Sequence, residues 1–430
     1  MARSEGAIPI VMGTTALSVS NIDHDQTTHY MCRLPVTDDN TGIVSSIPTN
    51  SDRADLFCAA AFIMWDEMPM ANVAVFEAVD ILLQRIMDVD EPFGGKVIIG
   101  IGDFCQVAPV VKGGGPTATY LASILSSPLW NFFSISKLSE PIRNAADPFF
   151  ADFIDRIGED VSLQRIVLDD WLKRTDNIDI LSTTLFPDNV LADPSASVRR
   201  AFLTPLNIDV DKFNTNILDR LPGPLCKFVI FFYRCCLSNN FFQAVHHSFD
   251  SVIEYDDPRH GPKSPAEHSI DFLAQVTSRE APNHDLHLKV GAVYCLLQNL
   301  SIAKGLVKNQ RVTIVATRPQ YIEVKLLNRS NRPDTTHCIP RVNFDFKPPF
   351  LSFSIRRKQF PLRLAYATTF NSCQGLTFDR VGIDGCGDVF AHGQLYTALS
   401  RVRRRSDACL LIPFDKPDVA NIVYRQLLLH

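Results

Sequence analysis

The sequence predicts an α/β fold built on parallel sheets, and three observations carry that reading. Short β-branched runs at Ile8 to Thr14, Ala61 to Trp65 and Lys96 to Gly102 each end in, or run into, Gly, Thr or an acid, as buried strands do. Between the last two, Val73 to Met87 repeats apolar residues at helical spacing. From about Asp147 the alternation resumes, with a strand-like run at Arg200 to Thr204 and a final strand and helix succession over Leu362 to Ile412. Strands alternating with helices build parallel sheets, and ligands of such sheets collect at the carboxyl ends of the strands. Asp66, Glu67, Asp103 and Gln106 fall at those ends.

With 430 residues, 46% apolar and 21% charged, the chain can bury two or three cores, which excludes a tail or a repeat array. The 11 cysteines include no C-x-x-C pair, so reduced thiols in an intracellular protein are expected rather than a disulfide framework or zinc cluster. No apolar run approaches the roughly 20 residues that span a bilayer, and Pro9 and Gly13 interrupt the first apolar segment, so neither a membrane protein nor a secretory signal is expected. The net charge of −5 is unevenly spread, with −9 over residues 1–112 and +5 over residues 350–430. Two basic runs, Arg356-Arg357-Lys358 and Arg401 to Arg405, could meet phosphate backbones or could simply be solvated faces.

Two lobes are expected, residues 1–145 and 146–430. The second is interrupted by a linker at about 225–285, with its Pro/His/Asp-rich part at Glu254 to His268, and by a small all-β insertion at about 286–348. The insertion follows from alternating runs at Ala292 to Leu297, Gln310 to Ala316 and Tyr321 to Leu327. Leu225 to Gln243 is an apolar stretch that reads either as a buried strand or as a decayed or mistranslated segment.

The strand ends have a specific chemistry. FIMWDE sets two carboxylates just past a strand, where the first can hold Mg²⁺ and the second can orient or deprotonate an attacking water. Asp66 is the metal candidate and Glu67 the base. Gly102-Asp103-Phe104-Cys105-Gln106 follows a second buried strand, and a glutamine there can bond both a terminal phosphate and the lytic water.

WDEMPM, FEAVD and PFGGKVIIGIGDFCQVAPVV resemble the ATPase core of the PIF-one-type branch of superfamily 1 DNA helicases, most closely the helicase of Helitron transposons. Later segments continue the resemblance in order: Leu138 to Arg143, Phe202 to Val210, Leu288 to Val312, Gln359 to Phe378 and His392 to Val402. It implies two RecA-like lobes with a small all-β insertion in the second, binding ATP and Mg²⁺ between them. Arg143 and Arg401 would reach the γ-phosphate from across the cleft, with Gln106, Gln374 and Gly375 beside them. Thr369, Asn371, Gln374 and His392 lie in segments that meet single-stranded DNA in that family, and Arg403 and Arg404 would add phosphate contacts. The implied activity is 5′ to 3′ unwinding by a monomer on single strands and DNA junctions. Its expected setting is repair, recombination, telomere maintenance or transposition, in the nucleus or alternatively the mitochondrion.

Departures from the family pattern define a second expectation. Cys105 stands where the family has arginine, Ser372-Cys373 replaces Lys-Ser, and Pro141-Ile142 replaces Asn-Met. No segment fits the phosphate loop G-x-x-x-x-G-K-[ST], since Gly95-Lys96 is followed by Val97. The first lobe is therefore expected to be incomplete, with a gap or exposed edge in its sheet and impaired hydrolysis. The alternative is an inactive, transposon-derived remnant that retains DNA binding.

Overall fold

The computed structural model describes residues 6–429 apart from 20–25, 37–41, 112, 163, 168–170, 222–242, 256–268, 279–280, 303, 328–334, 349–350, 352 and 417. Two parallel sheets form the α/β framework. The first contains β1 (Pro9–Gly13), β2 (Gln26–Thr27), β3 (Phe62–Asp66) and β4 (Ile98–Gly100), in the order β2-β1-β3-β4. Register pairs Gly13 with Asp66 and Trp65 with Gly100, so three strand ends share one rim. The helix α1 (Val73–Met87) starts at Asn72, whose side chain caps the Ala74 N–H, and buries Phe76, Val79, Leu83 and Ile86 in one core with Trp65 and Phe57. Its bounds are those the apolar period predicts.

The predicted buried strand at Lys96–Gly102 is shorter and lies at a sheet edge. Among the described residues β4 pairs only with β3, and Val97, Ile99 and Ile101 are exposed. An apolar edge of this kind can accept a further strand.

The second sheet contains β5 (Lys173–Thr175), β6 (Arg200–Thr204), β7 (Ala367–Thr369), β8 (Arg380–Asp384) and β9 (Ala408–Leu411), all parallel, in the order β7-β6-β8-β9-β5. The helix α2 (Pro148–Glu159) is capped by Asp147 and buries Phe150, Phe153, Ile154 and Ile157. Among these strands Thr204 donates to Asp384 at 2.8 Å, joining two buried polar side chains at their carboxyl ends. The helix α3 (Asn207–Arg220) follows β6, and Asn214 on it clamps the Tyr366 and Ala367 N–H groups that lead into β7.

Between α3 and β7 most of the described residues lie in antiparallel strands. Thr336–Pro340, Tyr321–Leu326, Arg311–Thr317, Val293–Leu296 and Leu362–Leu364 form a five-stranded sheet, and its inward side chains share one core with the second lobe. The stretch expected as linker is structured in part. Gln243–His247 pairs with Asp285–Lys289, and Phe249–Tyr255 pairs with Phe353–Gln359. The expected segment Leu225 to Gln243 lies outside the described residues except for Gln243, and so does most of Glu254 to His268.

Candidate active site between the lobes

The site starts from a tight turn. Asp66 ends β3, and Glu67 adopts a left-handed backbone at φ 51°, a conformation that costs a non-glycine residue about 1–2 kcal/mol. Surrounding hydrogen bonds hold it: Thr14 donates to the Glu67 carbonyl at 2.7 Å, Trp65 Nε1 donates to Thr14 at 3.0 Å, and the Met68 N–H donates to Ile101 at 3.0 Å. A Cβ on Gly102 would fall on the Pro69 ring, so glycine lets the second strand end close on the first. Strain held in place by neighbours is common at functional sites.

Three carboxylates gather here. Asp103 accepts from the Cys105 N–H at 2.9 Å, from Gln106 Nε2 at 3.2 Å and from the Tyr396 hydroxyl at 2.7 Å. Burial pushes the Asp66 carboxyl above the ordinary carboxylate range. Glu67 is raised by burial, then by the Asp66 charge, and is drawn back by its Gln374 hydrogen bond and by Arg401.

The second lobe answers with an amide and a guanidinium. Gln374 Nε2 donates to Glu67 Oε2 at 3.2 Å. Its Oε1 is buried with no hydrogen-bond partner among the described residues. Arg401 follows α4 (Gln394–Leu399) and is only 2% exposed. Its Nε donates to the Thr397 carbonyl at 2.8 Å and its Nη2 to Ser400 Oγ at 2.6 Å, which leaves Nη2 also 3.4 Å from Gln106 Oε1 on the first lobe. Arg143 donates to the Ser400 carbonyl at 3.0 Å and couples electrostatically to Arg401 and Glu67. Glu67, Gln106, Gln374, Arg143 and Arg401 are thus brought together with Asp66 at their rim. Gly375 beside them is in the left-handed region at φ 76°.

His392 has a different place from the strand contact expected of it. It is 1% exposed, with Nε2 2.8 Å from the Phe104 carbonyl and Nδ1 3.0 Å from the Tyr424 N–H. Those partners fix a neutral ring that donates from Nε2 and accepts at Nδ1, and burial lowers its pKa. His392 therefore ties the lobes together. A Cβ on the adjacent Gly393 would collide with the Cys105 carbonyl, and its φ is 71°, so glycine is required at this close approach. Thr369 Oγ1 donates to Ser372 Oγ at 3.0 Å, which serves the turn after β7. Asn371 accepts from Gln394 at 2.9 Å and faces a cavity of about 1100 Å³ between the lobes, also lined by Tyr30, Arg33, Arg53, Lys308 and Asn309. Arg403 and Arg404 are exposed.

Of the departures, Cys105 is a thiol raised above its ordinary value by burial and by Asp103, and Cys373 is buried and pushed up to about 11, chiefly by burial. Neither offers a charge at neutral pH. The basic run at Arg356 to Lys358 is also not a uniform phosphate face, because Arg357 is fully buried against Asp250.

The sequence reading missed Thr14, Tyr396 and Ser400 as parts of the site. Tyr396 and Ser400 could have been found from α4 and the two residues after it, since Tyr396, Thr397, Ser400 and Arg401 recur at helical spacing. Thr14 had only its place after β1 as a signal.

Residues 1–160 match the family described as PIF1-like helicase, and residues 271–316 match the DNA helicase Pif1 2B domain. The chain is thus similar to PIF1-like helicases over its first 160 residues and to their 2B domain over a short later stretch. It is 28% identical over 349 residues to an ATP-dependent DNA helicase PIF1 of Danio rerio and 26% identical over 348 residues to that of Homo sapiens; each alignment takes in 79% of this chain and 44% of the relative. The chain therefore spans less than half the length of these curated relatives. The fold is shared with a Bacteroides Pif1 bound to single-stranded DNA, at a TM-score of 0.63 and 20% identity over 100% of this chain and 86% of that one. Pif1 helicase from Candida albicans aligns at a TM-score of 0.58 and 19% identity over 100% and 88% of the two chains. The two RecA-like parallel-sheet lobes and the all-β insertion agree with that likeness.

The residues present fit Mg²⁺ and a nucleotide. Asp66 and Glu67 offer hard carboxylate oxygens at the cleft, and burial, with the Asp66 charge beside Glu67, raises the proton affinity of both. The unpartnered buried Oε1 of Gln374 adds an acceptor beside them.

Proposed function

We propose that this chain supplies the hydrolytic face and the arginines of an ATP-dependent DNA helicase motor of the PIF1 type, moving 5′ to 3′ on single strands and at DNA junctions. The observation that carries the proposal is the pair of hydrogen bonds between lobes, Gln374 to Glu67 and Arg401 to Gln106, which join a carboxylate base and its cations into one site. Bound there, Mg²⁺-ATP would supply the γ-phosphoryl group and neutralise part of its charge during transfer to water. Asp66 would hold the metal. Glu67, with its carboxylate proton affinity raised, would orient the attacking water and take its proton. Gln106 would report the phosphate to the second lobe, and Arg401 and Arg143 would stabilise charge on the phosphoryl oxygens, a role worth roughly 10³ to 10⁵ in rate. Single-stranded DNA would run along the large cavity between the lobes past Asn371 and Lys308, with Arg403 and Arg404 on its phosphates. Relatives named as DNA helicases and a neighbour solved on single-stranded DNA support the same reading. A monomer acting in the nucleus, with the mitochondrion as the alternative, fits this role.

A second reading is DNA binding without hydrolysis, the expected behaviour of a transposon-derived remnant. It is favoured by Cys105 and Ser372, uncharged side chains where the resembled family pattern has arginine and lysine, which leave the cleft with fewer cations for phosphate. The two readings separate in one assay. ATP hydrolysis with and without single-stranded DNA is measured for the chain and for a fusion that adds a strand and phosphate loop able to pair with the open edge of β4. The motor reading expects DNA-stimulated hydrolysis by the fusion that Glu67→Gln abolishes. Hydrolysis by neither form, with DNA binding intact, supports the second reading.

A further inference from the structure

Away from the cleft, the ribbon of Gln243–His247 and Asp285–Lys289 makes His247 and Asp285 direct cross-strand partners. His247 Nδ1 lies 2.7 Å from Asp285 Oδ1. His284 approaches the same oxygen, with Nε2 at 3.8 Å, and its ring centre is 5.6 Å from that of His247. Ligand atoms from the three residues lie within 4.8 Å of one another. We propose that His247, His284 and Asp285 form a binding site for a divalent transition metal ion of the Zn²⁺ class, with water completing the coordination.

The independent support is the way His284 is held from behind. Its Nδ1 lies 2.8 Å from Ser248 Oγ and 3.1 Å from Asp250 Oδ2. Ser248 donates its own hydroxyl proton to Asp250 Oδ1 at 2.7 Å, so both partners present lone pairs and Nδ1 carries the proton. Nε2 is left on the far side of the ring, 3.8 Å from Asp285 Oδ1, beyond hydrogen-bond reach and on the same side as His247. Asp250 is itself fixed, fully buried and gripped by Arg357 at 2.9 and 3.0 Å. A carboxylate that orients an imidazole from its far nitrogen is the usual support of a metal-binding histidine. Two imidazoles and one carboxylate are borderline donors that suit Zn²⁺ over Mg²⁺ or Ca²⁺. An ion here would clip the two ends of the segment 248–283 and so brace the base of the β insertion.

Cobalt tests this directly, since its spectrum reports the ligand type. The metal-stripped 430-residue chain is titrated with Co²⁺ and then with competing Zn²⁺. One equivalent should bind with the visible bands of a low-coordinate nitrogen and oxygen site and without a sulfur-to-metal charge-transfer band. His247→Ala, a change at an exposed residue, and Asp285→Asn should each weaken binding roughly 10-fold or more while the far-ultraviolet dichroism stays that of the parent. A thiolate band, or unchanged affinity in both variants, would assign the ion to cysteines and overturn the proposal. No binding at all would leave His247 and Asp285 as a surface ion pair and overturn it equally.

Discussion

Two basic runs that look alike in sequence, Arg356 to Lys358 and Arg401 to Arg405, each bury one arginine, and the burials have opposite meanings. Arg357 meets a carboxylate in the same domain: Asp250 accepts from Nε and Nη2, the Pro282 carbonyl accepts from Nη1 at 3.1 Å and the Leu273 carbonyl accepts from Nη2 as well at 2.9 Å. Its charge is fully matched where it stands. Arg401 meets carbonyls and a hydroxyl of its own lobe and only an amide of the other. The nearby carboxylates, Glu67 and Asp103, lie across the cleft without an ion pair to it. A buried charge paired at home braces a core, whereas Arg401 is left short of a counter-charge at an interface between lobes.

The largest effect should come from the first of these arginines. Arg357→Ala leaves the buried Asp250 carboxylate without its guanidinium, which should lower unfolding free energy by about 3–5 kcal/mol, read as a fall in the urea midpoint. If stability is unchanged, the matched arginine is not structural and the contrast fails. The neighbouring Arg356 pairs with Asp345 at the surface, at 2.6 Å, so Arg356→Ala should stay within about 0.5 kcal/mol of the parent.

A second prediction uses the uncompensated side of the cleft. Burial and Asp66 raise the Glu67 carboxyl, so the stability it contributes is full below the unfolded carboxylate value and is lost as pH rises through the higher folded value. Glu67→Gln should therefore melt at a higher temperature than the parent near neutral pH, with the gain shrinking as pH falls toward about 4. A variant that melts lower at neutral pH would mean that the carboxylate is already compensated. Smaller still, charge reversal at exposed Arg403 and Arg404 should weaken single-strand binding and flatten its salt dependence by about 1.4 in log–log slope, two contacts at roughly 0.7 each. An unchanged slope would make them a solvated face.

The sequence made periodic elements legible and left partners hidden. Val73–Met87 and Arg200–Thr204 could be read to the residue because one buries a helical face and the other is covered by strands on both sides. Ile98–Gly100 has the same apolar composition but is an edge, and composition does not record how many neighbours a strand has. Gln243–His247 and Phe249–Tyr255 looked like linker because their histidines and aspartates serve a polar network around Asp250 instead of an apolar face. Asp66, Glu67, Gln106 and Arg401 were visible from their place at strand ends and motifs. His392 was not, since a residue type does not reveal that both of its nitrogens are already engaged.

The most direct test of the contrast is Arg401→Lys in the fusion that carries a phosphate loop, measured as single-strand-stimulated ATP turnover per folded molecule. If Arg401 serves the cleft, turnover should fall by about 10³ or more while single-strand affinity stays near that of the parent. Turnover within a few-fold of the parent, with the loss appearing only in thermal stability, would make Arg401 another Arg357 and contradict the account.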